Sequence, residues 1–295
     1  MFSLEHLERR ALFANYTAAI TTELLDCIKS ANLTPETDTI TLVPGNTFSL
    51  TAVNNTTSGA TGLPVIAAAG GGLTIVGNGA TIERSAAAGT PRFRLFDVAA
   101  GASLTIKNLT LQGGSGTYAV FGQPARGGAI HNQGALNLES VTVQNNTSQG
   151  SPGVFVWSSL IDGGHAQGGA IYSAGSLSLT NCAIRGNSAV GGVGLDKAWY
   201  TITGNEGTGS LITVFRGSKG GDALGGAIYI AGGTAAARTS VFADNSVTGG
   251  AGGEGRGNSV AAGLYIKAPA TVGLDVFTKQ HLKNKDIFGA YSLIR

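Results

Sequence analysis

Gly168-Gly169-Ala170-Ile171-Tyr172, followed by Gly175, Leu177, Leu179, Cys182 and Ile184 and closed by Asn187, is the stretch that decides the fold. The same order runs from Gly127-Gly128-Ala129-Ile130 through Leu136, Leu138, Val141 and Val143 to Asn146. It returns at Gly225-Gly226-Ala227-Ile228-Tyr229 and ends at Phe242-Ala243-Asp244-Asn245. A fourth, divergent copy opens at Ala262-Gly263-Leu264-Tyr265. Alternation of apolar and polar residues means strand, with successive side chains on opposite faces. The alternation slips by one residue between Leu138 and Val141, between Leu179 and Cys182, and between Ile106 and Leu109. A straight strand would then send half of its apolar residues to the wrong face. A chain that turns a corner at Asn108, Ser140 or Asn181 keeps all of them inward, and these residue types tolerate such bends.

Short strands bending toward one interior, repeated along the chain, predict coils that stack at about 4.8 Å. The expected fold class is all-β: a right-handed parallel β-helix with an N-terminal capping helix. The matched positions Ile130, Leu138, Val143, Ile171, Leu179, Ile184 and Ile228 form its expected core. The closing Asn146, Asn187 and Asn245 predict an amide ladder, because Asn accepts left-handed torsions and its amide reaches its equivalent one coil away.

These motifs resemble a known family. Paired GGAI and FxxN motifs are the repeats of polymorphic outer membrane proteins. Gly225–Ile228 with Phe242–Asn245 matches both motifs. Gly127–Ile130 and Gly168–Ile171 match the first, while Val143 and Ile184 replace the Phe of the second. The stretch 61–96 is also similar to the opening coils of bacterial secreted, pectin-lyase-like β-helix proteins. Together the resemblances cover roughly residues 35–270. They imply export or surface attachment and an adhesive role. The translocating barrel of the polymorphic family has no counterpart in this sequence, so attachment by another route, or a fragment of a longer chain, is expected.

Composition agrees with stacked coils. Gly is 47 of 295 residues, about twice the usual share, without the G-x-y register of collagen. Charged residues are 12%, about half the usual share, and the net charge is +2. The Lys and Arg are scattered, with no basic stripe to suggest a nucleic-acid partner. Two distant cysteines, Cys27 and Cys182, give no disulfide framework or zinc spacing. No run approaches the roughly 18 apolar residues of a membrane span.

Residues 1–16 read as a leader-like segment, since Glu5-His-Leu-Glu-Arg-Arg-Ala-Leu12 resembles the LExLExRxLL leader of some large exported bacterial proteins. A standard signal peptide needs about 7–15 continuous apolar residues, and Leu12–Ile20 is interrupted by Asn15, Tyr16 and Thr17. Residues 17–33 read as a capping helix, started by Thr17, with Ile20, Leu24, Ile28 and Ala31 on one face. Residues 34–275 are the expected β-helix and 276–295 a C-terminal cap or tail. Inserts separate the repeats at about 147–167, 188–224 and 246–261. The second holds a hairpin, Trp199–Thr203 with Ser210–Phe215.

Catalytic chemistry has no clear carrier in the sequence. The lyases and hydrolases of this scaffold use carboxylates on neighbouring coils. Here Asp97, Asp162, Asp196, Asp222, Asp244 and Asp275 share no register position. His165 is the best isolated candidate, set against an ordinary exposed loop histidine. Gly191–Trp199 matches the calcium-binding GGxGxDxUx nonapeptide once, without the stacked second copy the site requires. No catalytic residue, metal or cofactor is therefore assigned. Tyr172, Tyr229 and Tyr265, with His131, share the register after an inward aliphatic and predict an outward aromatic column. Together with Trp157 and Trp199 in the inserts, these tyrosines are the candidate contacts for a glycan or a cell-surface protein. The competing reading makes them a self-stacking ladder. A carbohydrate-active enzyme and an inert stalk are the alternative functions.

Overall fold

The computed structural model describes residues 14–295 except 119, 157–158 and 204–210, with backbone alone at 198–203, 211–215 and 284. The chain is all-β, built of many short strands in long parallel sheets, an arrangement consistent with a parallel β-helix. The largest sheet runs from Asn15–Ala18 through Thr37–Leu42, Gly72–Arg84, Ser103–Gln112, Ala135–Glu139, Ser176–Thr180 and Thr234–Arg238 to Thr271–Leu274 and Ser292–Leu293. Every neighbouring pair along it is parallel. Pairing is in register, Leu104 to Leu136 to Leu177 to Ala235.

Each slip in the apolar alternation is a corner. Asn78, Asn108, Ser140, Asn181 and Thr239 all take left-handed torsions, with φ between 51° and 55°. Ser103–Gln112 passes its corner unbroken and pairs with both Ala135–Glu139 and Thr142–Gln144. Leu136, Leu138, Val141 and Val143 are consequently all buried, as are Leu177, Leu179, Cys182 and Ile184. The seven expected core positions are each at most 2% exposed. Where the inward Leu177 and Leu179 give way to Ala235 and Ala237, Phe242 takes the place of Ile184 and fills part of the space.

The GGAI motif has a separate reason at each position. Gly127, Gly168 and Gly225 sit at φ 59°, 72° and 67°, where a Cβ is strained. A Cβ on Gly128 or Gly169 would lie 2.1 or 2.0 Å from the carbonyl oxygen of Gly169 or Gly226 one coil away. Ala129, Ala170 and Ala227 are fully buried in a space that admits a methyl group, and the Ile enters the core. The amide ladder forms as well. Asn146 Nδ2 donates to Asn187 Oδ1 at 3.0 Å, and Asn187 Nδ2 to Asn245 Oδ1 at 3.0 Å.

Helix α1 (Thr21–Ala31) buries Leu24, Ile28 and Ala31 and packs against the first strands. Its start differs from the sequence expectation. Thr17 lies in the strand Asn15–Ala18, which pairs with Thr39–Leu42. Ile20 is the N-cap and is 56% exposed, so it does not join the apolar face. Glu23 supplies the missing cap, its carboxylate accepting from the amides of Ala19 and Ile20 at 2.7 and 3.4 Å. The segment after residue 275 also adds strands: Ile287–Phe288 pairs with Leu264–Ile266, and Ser292–Leu293 with Thr271–Leu274. Among the described residues no helix is long and apolar enough to cross a membrane.

Candidate functional site

A six-stranded parallel sheet carries the aromatic register. Its strands, in order, are Phe96–Val98, Ile130–Asn132, Ile171–Ser173, Ile228–Ile230, Leu264–Ile266 and Ile287–Phe288. The middle residues pair directly, giving one side-chain column: Asp97, His131, Tyr172, Tyr229, Tyr265, Phe288. Ring centroids follow one another at 5.2, 5.6, 4.8 and 4.7 Å, with interplanar angles of 16° or less. The expected column therefore exists, but it is covered rather than presented. Tyr172 is 9% and Tyr229 4% exposed, and only Tyr265 and Phe288 open further. The inner ring faces are occupied by neighbouring rings, so they offer no stacking platform. Burial, with Tyr265 and Tyr172 alongside, pushes the Tyr229 hydroxyl up to about 12, against the charge of Arg126.

The head of the column is polar and was not legible as a site. Asp97 Oδ1 and His131 Nδ1 are 2.9 Å apart, and both side chains are buried. Arg94, 1% exposed, lies beside them and donates from Nη1 to the Ser58 carbonyl at 2.7 Å. Arg94 Nε and Asp97 Oδ2 are buried without a hydrogen-bond partner. Burial lowers the Arg94 guanidinium to about 10 against the pull of Asp97, so it stays charged at neutral pH. Burial would raise Asp97, but bonds from His131 and Ser58 and the charges of His131 and Arg94 hold it below its usual range. Burial lowers His131, and Arg94 and Arg126 add to this, against the bond to Asp97. A neutral imidazole beside a carboxylate keeps its proton on Nδ1, which leaves Nε2 as an acceptor.

Of this cluster His131 lines a cleft of about 290 Å³, together with Ser58, Arg126, Gln133, Tyr172 and Ala174, while Asp97 and Arg94 lie behind it. The Arg126 guanidinium lies over the Tyr172 ring, 5.1 Å from its centroid, and Nε reaches Gln167 Oε1 at 3.4 Å. Among the described residues Arg126 makes no ion pair. Gln133 Nε2 donates to Ser58 Oγ at 3.3 Å. The sequence signal was Phe96-Asp97-Val98, which has the inward–outward–inward order of Ile171-Tyr172-Ser173 but lacks the preceding glycines.

The inserts are organised by glycine. Gly164 N donates to the Ser151 carbonyl, Gly192 to Gly164, Gly221 to Gly192, Gly250 to Gly221 and Gly257 to Gly250, all at 2.8–2.9 Å. A Cβ on Gly150, Gly191 or Gly220 would fall 1.8–1.9 Å from a facing glycine carbonyl oxygen. Backbones therefore pack directly on backbones, without side chains between them. Two antiparallel hairpins belong to these segments, Val154–Val156 with Ser159–Ile161 and Ala198–Thr203 with Leu211–Arg216. The first was unforeseen, and the second spans the expected strands. Their strands pair only with each other and not with the coil sheets.

Trp157 lies outside the described residues. Trp199 is in a hairpin strand opposite Phe215, described by its backbone alone. His165 is separate from the polar head: its Nδ1 accepts from the Asp222 amide at 2.9 Å. Asp162 accepts from the Lys219 amide at 2.8 Å. Among the described residues no three His, Cys, Asp or Glu side chains are grouped to hold a metal ion. No family model, curated protein or solved structure matches this chain.

Proposed function

We propose that this chain is a right-handed parallel β-solenoid of the polymorphic-outer-membrane or secreted pectin-lyase-like kind, exported or surface-associated. It acts as a structural or adhesive module that binds a glycan or protein partner through its inserts. The observation that carries this reading is the pair of hairpins held on glycine-packed segments beside regular coils. Coils repeat because stacking constrains them, whereas loops on a rigid scaffold are free to specialise. The first hairpin is apolar, and Val156 is 37% exposed. Since Tyr172 and Tyr229 are buried in their ladder, contact falls to the inserts whose sequences contain Trp157 and Trp199. Glycan-array and cell-binding assays of the full chain test this. Trp157→Ala and Trp199→Ala should each abolish the binding carried by the inserts, with unchanged melting. A large fall in melting temperature, with binding intact in the folded fraction, would make the tryptophans part of the scaffold.

A second reading, a carbohydrate-active enzyme, is favoured by one feature, the Asp97–His131 pair with its acceptor nitrogen beside an open cleft. Release of new chain ends from polysaccharides, lost in His131→Gln, would replace the binding-module reading.

A further inference from the structure

We propose that the cleft at the head of the aromatic column is a binding pocket for an acidic sugar residue at the end of a glycan chain. This site is independent of the inserts. Four observations converge on it.

The column does not need polar residues to stack. Its next four rungs are Tyr, Tyr, Tyr and Phe, which stack ring on ring with no charged group among them. At its head a guanidinium and a carboxylate are instead almost completely removed from water, each with one atom left unpartnered. Burying such groups costs free energy that one more aromatic pair would avoid. A polar cluster retained at that cost, below an open cleft, marks a site.

The charge of the cleft selects an anion. Arg94 and Asp97 offset one another, and His131 is neutral. Arg126 remains, pinned over Tyr172 and without an acidic partner among the described residues. One fixed guanidinium at a cleft mouth offers the fork that a carboxylate fits with two parallel bonds. The same charge disfavours a metal cation.

The remaining lining groups suit hydroxyls. His131 Nε2 accepts, Ser58 Oγ accepts while its proton goes to Asp97, and the Gln133 amide donates and accepts. A ligand carrying hydroxyl donors and acceptors beside an acid satisfies all of them, whereas sulfate leaves the His131 acceptor without a donor. The volume of about 290 Å³ holds one pyranose ring. The cleft has six lining residues and room for one ring, which fits a chain end better than a chain passing through. Its recognition is polar throughout, because the Tyr172 ring faces are taken by His131 and Tyr229, with Arg126 close by. A neutral sugar would therefore lose the principal contact.

Calorimetric titration of the full chain with methyl glucuronide, a methyl sialoside and methyl glucoside tests the pocket. Both acidic glycosides should bind, and the neutral one at least about tenfold more weakly. Arg126 is exposed, so Arg126→Gln should leave melting unchanged and weaken the acidic ligands by about tenfold or more. Trp157→Ala and Trp199→Ala should leave this binding intact, which separates it from binding by the inserts. Equal affinity for the acidic and neutral glycosides, no effect of Arg126→Gln, or no binding at millimolar ligand would each overturn the proposal. Tight binding of an internal uronate polymer without binding of the monosides would overturn the chain-end assignment.

Discussion

At the scale of single residues, the fold is held by side chains with two simultaneous tasks. Asn187 is the clearest. Its Oδ1 accepts from the Asn146 amide and Asn146 Nδ2, both at 3.0 Å, while its Nδ2 donates to Val143 and Asn245. Asn187→Ala leaves the buried Asn146 amide without an acceptor, which costs about 1–3 kcal/mol for each orphaned group. Urea denaturation should show a lower midpoint with an unchanged slope. His131 gives a pH prediction. Its imidazole is held below the ordinary value of 6.5. Below 6.5 the unfolded chain therefore binds a proton that the folded chain refuses, and stability falls as pH drops through that range. His131→Gln can still donate to Asp97 but does not titrate. Denaturation midpoints between pH 7.5 and 5.5 should slope for the parent and lose this component in the variant. A slope unchanged by the substitution would assign it elsewhere.

At the scale of elements, the two ends of the sheets differ. The Asn15–Ala18 strand pairs on one side with Thr39–Leu42, and α1 buries Leu24, Ile28 and Ala31 beside it. A bare sheet edge is a template for association with other chains. Deleting residues 1–33 strips both the strand and the helix from the edge of Thr37–Leu42. Light scattering should rise and melting should fall; a deletion variant that stays monomeric and equally stable would show that the helix covers nothing essential. Among the inserts, the element is the glycine stack. A Cβ at Gly192 would lie 1.7 Å from the Ser151 carbonyl oxygen, a contact only backbone separation can relieve. Gly192→Ala should increase proteolysis between residues 150 and 257 before it disturbs the coils.

For the whole molecule, one apolar column runs from Ala18 to Leu282 without interruption. A charge placed in it has no water and no partner. Ile171→Asp should cost more than about 4 kcal/mol and abolish cooperative unfolding altogether. The contrast with Gly192→Ala is the test: the core variant should unfold the protein throughout, and the insert variant only locally.

How much of this was legible depended on whether the determinant repeats. The corner residues Asn108, Ser140 and Asn181, the inward Leu and Ile positions and the amide ladder follow from local periodicity, and periodicity survives in a one-dimensional string. The helix start was displaced because Thr17 carries a good capping side chain, yet strand pairing with Thr41 claimed it first. The column was readable as a register, but not its burial, because a side chain's own position says which way it points and nothing about what lies over it. Asp97, His131, Arg94, Arg126 and Ser58 come from four stretches separated by as many as 73 positions. Coil stacking alone brings Asp97 to His131 and Arg126 to Tyr172. Sequence by itself determined the repeat, its corners and its core, because those obey nearest-neighbour geometry. Only the tertiary structure decided the polar pocket and the glycine-packed inserts, because the Asp97 strand lacks the glycines that mark the repeat and the inserts carry no matched spacing.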